Sequence, residues 1–77
     1  MHKNAQARYE LLQALYEARE IDPHDGWVSL GTLNDLIDNT RFALDMAKEL
    51  ELVIAKDFKY RLTAKGVLGY EAMQAAG

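Results

Sequence analysis

The chain has no cysteine, one proline, one serine and two histidines. Without cysteine, neither a disulfide nor a thiolate metal site can form. The lone serine, Ser29, sits where a helix N-cap is expected, which accounts for it without a nucleophilic role. His2 is terminal and His24 lies in a Pro-Gly turn, so neither belongs to a metal-ligand or triad pattern. Asp22 and Asp25 flank Pro23 and read as turn formers; they lack the periodic spacing of a calcium loop. The glycines at 26, 31, 66, 69 and 77 form no phosphate-cradling loop after a strand. The sequence therefore predicts no enzyme, no metal and no cofactor. No apolar run approaches the ~20 residues that span a bilayer, and Met1-His2-Lys3-Asn4 opens no signal-peptide core. A soluble, cytoplasmic protein with no membrane partner is the expectation.

What is present suits one small globular domain over residues 1–77. Hydrophobic residues make up 49% and charged residues 27%, a balance that favours folding over disorder. A chain of this size buries only ~60% of the surface that its unfolded form exposes. Net charge is −3. The sign is unevenly spread. Residues 10 to 55 hold ten acids (Glu10, Glu17, Glu20, Asp22, Asp25, Asp35, Asp38, Asp45, Glu49, Glu51) against Arg19, Arg41 and Lys48. Residues 56 to 66 reverse this, with Lys56, Lys59, Arg61 and Lys65 against Asp57. A basic patch on an acidic body suits an anionic partner, although lysines also guard exposed strand edges.

Periodicity places a first helix over about 4–20, capped by Asn4. Leu12, Leu15, Tyr16 and Arg19 form its inward stripe, with Ala5, Tyr9 and Leu11 at the edges. Pro23 and Gly26 end it. Trp27-Val28 is too short to stand alone and is expected to add a third strand to a later hairpin, with Trp27 covering the sheet end of the core. Ser29 caps a second helix of about two turns that turns Leu30, Leu33, Leu36 and Ile37 inward. A break at Asp38-Asn39-Thr40 precedes a third helix to about Leu50, capped by Asn39 or Thr40. Ala43, Met46, Ala47 and Leu50 fall at i, i+3, i+4 and i+7 and are assigned to the core. Arg41, Asp45 and Lys48 are assigned to the opposite side, with Leu44 beside them.

A hairpin follows. Leu52-Val53-Ile54-Ala55 and Tyr60-Arg61-Leu62 flank the charged segment Lys56-Asp57-Phe58-Lys59, and Tyr60 and Leu62 alternate with Lys59 and Arg61. Thr63 then caps a last helix, about 64–75, that carries Val67, Leu68, Tyr70 and Met73 and is expected to fray at Ala75-Ala76-Gly77. The fold class is α+β and mostly helical, in the order helix, strand, helix, helix, strand, strand, helix.

That order, together with the junction Leu62-Thr63-Ala64-Lys65-Gly66 after a hairpin, resembles the winged helix-turn-helix family over nearly the whole chain. The closest branches in pattern are small bacterial, archaeal and viral transcriptional regulators. One departure is Glu51, where the family usually places a glycine between the third helix and the next strand. The resemblance implies binding to double-stranded DNA, with the third helix in the major groove and the 56–59 wing on the backbone. Asn39, Thr40 and Arg41 would approach the bases, with Arg41 able to grip guanine through two donors. Thr40 and Lys48 would meet phosphates, and Lys56, Lys59 and Arg61 on the wing would meet the backbone or the adjoining minor groove. It also implies a homodimer through the C-terminal helix, whose apolar residues exceed what one small core needs. The alternative expectation is a protein-interaction module. In that case the acidic face of Asp35, Asp38, Asp45 and Glu49 meets a protein partner, with Phe42 and Leu44 as apolar anchors.

Overall fold

The computed structural model describes residues 3 to 76. Its elements are α1 (Lys3–Ile21), β1 (Val28–Ser29), α2 (Leu30–Leu36), α3 (Thr40–Glu49), β2 (Val53–Lys56), β3 (Lys59–Leu62) and α4 (Ala64–Ala76). This is an α+β chain in the order expected from the sequence. Met1, His2 and Gly77 lie outside the described residues, and with them the last residue of the expected frayed end.

Helix α1 is the spine. It packs on α3, on β3 and on α4. Its inward stripe holds Ala7, Leu11, Leu12 and Leu15, all buried. Leu11, expected at the edge, is instead at the centre, with no exposed surface. Asn4 lies within the first turn instead of capping it, because the helix already includes Lys3. Arg19 holds its place on the stripe by donating from Nη1 to the Leu62 carbonyl at 2.8 Å, which satisfies the end of β3. Beyond Pro23 the chain turns at Gly26, which is buried and left-handed at φ +61. A Cβ there would sit 2.8 Å from the Arg19 Cα, so both conformation and space require glycine.

The sheet is three-stranded and antiparallel, in the order β1-β3-β2. Val28 pairs with Tyr60, and Val53 to Lys56 pair with Leu62 to Lys59. Alternation sends Val53 and Leu62 into the core. The same register sends Ile54, Lys56, Lys59 and Arg61 to the outer face. Trp27 also serves the outer face: the Arg61 guanidinium lies 5.8 Å from its ring centroid, a cation–π contact. The indole therefore covers strand residues on the solvent side and does not plug the sheet end of the core.

Helix α2 is capped as expected, with the Ser29 hydroxyl accepting from the Thr32 N–H at 3.2 Å. Leu33 and Ile37 enter the core. Leu36, assigned inward from its spacing, is 63% exposed. Leu30 also packs against the core, so the inward face of this two-turn segment is filled by Leu30, Leu33 and Ile37, and Leu36 falls outside it.

The face that α3 turns inward also differs from expectation. Its buried residues are Thr40, Ala43, Leu44 and Ala47. Met46 is half-buried and Leu50 is 48% exposed, so the buried stripe begins three residues earlier than predicted, a rotation of about 60° about the helix axis. The cause is Thr40. Its hydroxyl donates to the Ile37 carbonyl at 2.6 Å, with the Leu33 carbonyl at 3.3 Å. The Leu33 carbonyl also accepts from the Ile37 N–H at 2.9 Å, so the Thr40 hydroxyl makes its short bond at the Ile37 carbonyl, just past the end of α2.

Three short links close the body at the start of α4. The Thr63 hydroxyl donates to the Glu51 carbonyl at 2.7 Å and accepts from the Gly66 N–H at 2.9 Å. The Thr63 N–H donates to the Leu52 carbonyl at 2.9 Å. Gly66 is buried, and a Cβ there would overlap the Leu52 carbonyl oxygen and crowd Leu62 Cδ2 at 2.9 Å. The Leu-Thr-x-Lys-Gly spacing thus has a steric cause. Thr63 caps the helix, and the third helical residue must be bare so that the chain leading into β2 can pass.

The candidate nucleic-acid interface

Helix α3 ends in a Schellman motif. The Glu51 N–H reaches the Lys48 carbonyl at 3.0 Å and the Leu52 N–H reaches the Ala47 carbonyl at 2.8 Å. Glu51 holds the left-handed position at φ 61, where glycine is the usual occupant. The expected glycine is absent, yet the helix stops by the route that glycine would give. The termination fixes where Lys48 projects and where β2 begins.

Between α3 and the hairpin runs a groove of about 140 Å³. Arg41, Asp45 and Lys48 line one side, Phe58 and Tyr60 the other, and Leu30 and Leu44 the floor. Arg41, Asp45 and Lys48 are all exposed. Their spacing of three and four residues sets them on successive turns of one helical face. Asp45 between the two cations offsets part of their field.

The remaining predicted contacts divide. Lys56 and Lys59 are exposed on the outer face of the sheet, where they line a depression of about 240 Å³ with Trp27 and Asp57. They do not face the α3 groove; the hairpin stands between. Arg61 is half-buried, its guanidinium is laid on Trp27, and its Nε is buried with no hydrogen-bond partner. It supports the sheet more than it reaches outward. Thr40 is 3% exposed and its hydroxyl is spent on α2, so it cannot touch a phosphate. Asn39 is exposed, but its side-chain nitrogen donates to Asn4 Oδ1 at 2.9 Å, tying α3 to α1. It adopts φ 58 and makes no side-chain cap of α3. Leu44, offered as an exposed anchor, is 3% exposed and belongs to the core.

Sequence reasoning missed Phe58. It occupies the hairpin turn at φ 61, beside Asp57 at φ 51, and is 78% exposed. Two consecutive left-handed residues describe a type I′ turn, which prefers Asn-Gly or Asp-Gly. The two-residue spacing between the strands was the available signal, but nothing in a phenylalanine announces a left-handed backbone.

On the far side of α1, four aromatic and amide groups join α1 to α4. Tyr70 packs 4.7 Å from Tyr16 and 5.8 Å from Tyr9, centroid to centroid. Gln74 donates to the hydroxyls of Tyr9 and Tyr70 at 2.6 and 2.7 Å. The Tyr16 hydroxyl donates to Glu71 at 2.7 Å, and that bond is the chief reason its pKa is pushed up to about 12. Burial raises the Tyr70 pKa as well. These groups lock two helices together and do not converge on a cleft. Among the described residues no cluster of three His, Asp or Glu is placed to hold a metal, and no helix is long and apolar enough to cross a membrane.

Comparison with family models, with curated proteins and with solved structures found no match to this chain.

Proposed function

We propose that the chain is a winged-helix module that binds double-stranded DNA as a transcriptional regulator, with α3 directed at the major groove and the β2–β3 hairpin as its wing. The observation that carries this reading is the α3–hairpin groove, where Arg41 and Lys48 stand exposed beside the hairpin tip. Arg41 lies at the second residue of α3, the end that approaches base edges when a helix enters the groove. Its fork of donors fits the two acceptors of guanine. Lys48, two turns on, is placed for a phosphate, as are Lys56 and Lys59 on the outer flank of the wing.

The test is a double variant, Arg41→Ala with Lys48→Ala, titrated with genomic DNA fragments at low and moderate salt. Loss of one phosphate contact lowers the slope of log affinity against log salt by about 0.9, and loss of a bidentate guanine contact costs about 1–3 kcal/mol. Unchanged affinity with an unchanged slope removes α3 from recognition.

The same reading pairs two copies through α4. Leu68 is 67% and Met73 40% exposed, and a cavity of about 380 Å³ between α1 and α4 is lined by Tyr16, Arg19, Glu20, Pro23, Ala64, Val67 and Leu68. Light scattering at tens of micromolar is expected to give twice the mass of one chain; a single-chain mass rejects the dimer.

A second reading rests on a different surface. Leu36 is 63% and Phe42 44% exposed, on the consecutive helices that, with the turn between them, carry the exposed acids Asp35, Asp38, Asp45 and Glu49. An apolar pair among carboxylates fits a basic protein partner. Failure to be retained on DNA resin, with specific capture of one protein through Phe42, favours this reading over the first.

A further inference from the structure

We infer that Phe58 is a wedge: the wing tip enters the minor groove of duplex DNA and its ring parts a flexible base step. The inference rests on the DNA-binding reading above and adds to it a residue and a mode of sequence preference.

Four observations converge on this side chain. The first is its backbone. A bulky aromatic residue at φ 61 is an outlier, since a left-handed conformation sets Cβ against the following carbonyl. Glycine would hold the same turn without strain. The second is exposure. The ring is 78% exposed, the second most exposed of the large apolar residues after Ile21, so packing within the domain does not offset the strain. The third is anchoring. The Leu30 N–H donates to the Phe58 carbonyl at 2.8 Å, so the first residue of α2 holds the tip against the body. The ring is carried on a fixed point and not on a loose loop.

The fourth is the placing of charge about the tip. Lys56 and Lys59 pair directly across the hairpin on its outer face. Arg41 and Lys48 stand on the inner side, across the α3 groove. Cations therefore flank the tip on both sides, with the aromatic ring between them. A minor groove presents the matching arrangement, with a phosphate wall on each side and base edges between. An apolar side chain that enters there unstacks a step and bends the duplex. Pyrimidine–purine steps yield most easily, so the wedge favours TA-rich sequence without a hydrogen bond to any base. Asp57, the other residue of the turn, and Asp45, between Arg41 and Lys48 on the α3 side of the groove, are the carboxylates near the ring, and both oppose close approach to phosphate.

The experiment compares the wild-type chain with Phe58→Gly and Phe58→Leu on a TA-rich duplex carrying 2-aminopurine at successive steps. Wild-type binding is expected to brighten the probe as its base is unstacked. Phe58→Gly is expected to raise the thermal midpoint, because glycine relieves the turn, while affinity falls roughly tenfold and the brightening disappears. Phe58→Leu keeps an apolar wedge and is expected to retain part of the signal. A Phe58→Gly chain that binds and brightens as the wild type does overturns the wedge, whereas the response of the Arg41 and Lys48 double variant to salt still reports on DNA binding itself. No binding by the wild-type chain overturns both. Wild-type binding without brightening overturns insertion alone.

Discussion

Glu51 and Phe58 share one backbone conformation, φ 61, and neither is glycine. The rest of their surroundings differ. At Glu51 the turn is held from every direction. Two Schellman bonds close the helix, and the Thr63 hydroxyl grips the Glu51 carbonyl. The side chain points to water and does nothing that a shorter one would not do. At Phe58 the tip is held by the pairing of Lys59 with Lys56 and Ser29 and by the bond to Leu30, and the bulky part of the residue is the part left exposed. Strain at Glu51 is a by-product of ending a helix where the fold requires it. The left-handed backbone at Phe58 serves the hairpin turn and the Leu30 bond, but both would be served as well by glycine, and the exposed ring adds no packing that offsets the strain.

The comparison can be broken most forcefully through the junction. Gly66→Ala drives a methyl group into the Leu52 carbonyl, directly behind Glu51. A loss of about 3 kcal/mol is expected, enough to unfold much of a small domain, and urea denaturation followed by circular dichroism measures it. A loss below about 1 kcal/mol would mean that the link between α4 and β2 gives way easily, and that Glu51 is no better held than Phe58.

A smaller effect sharpens the contrast. Glu51→Gly places the favoured residue at the left-handed position and is expected to stabilise the chain by about 1 kcal/mol. DNA affinity should not change. Glycine at 58 is expected to stabilise by a similar mechanism and yet to lose affinity. Equal effects of the two substitutions on binding would erase the distinction between a structural and a functional left-handed residue.

Much of the architecture was legible in the residues. The change from a period near 3.6 to a period of two marks β2 and β3, and Pro23, Gly26 and the Asp38-Asn39 break divide the helices. Ser29 and Thr63 announce two N-caps that the structure contains. The rotation of α3 was not legible. Positions 40, 43, 44 and 47 fit an inward stripe as well as 43, 46, 47 and 50 do, and hydropathy favours the second set because threonine is polar. The same error placed Leu44 outside. The candidate contacts were chosen by residue type and position along the chain. That procedure named Arg41 and Lys48, which are exposed on α3, included the buried Thr40, and did not name the exposed Phe58. It could not see that the hairpin separates Lys56 and Lys59 from α3.

By itself the sequence determined which segments are helices and strands and in what order they follow, because periodicity, caps and turn residues act within a few positions of one another. It also determined that any binding must work without thiols, since no cysteine is present. Tertiary structure alone decided which way α3 faces, with the Thr40 hydroxyl turned inward onto the Ile37 carbonyl just past α2. It alone set an exposed ring at the tip of the hairpin with cations on both flanks, because those groups come from separate elements and meet only when the chain has folded.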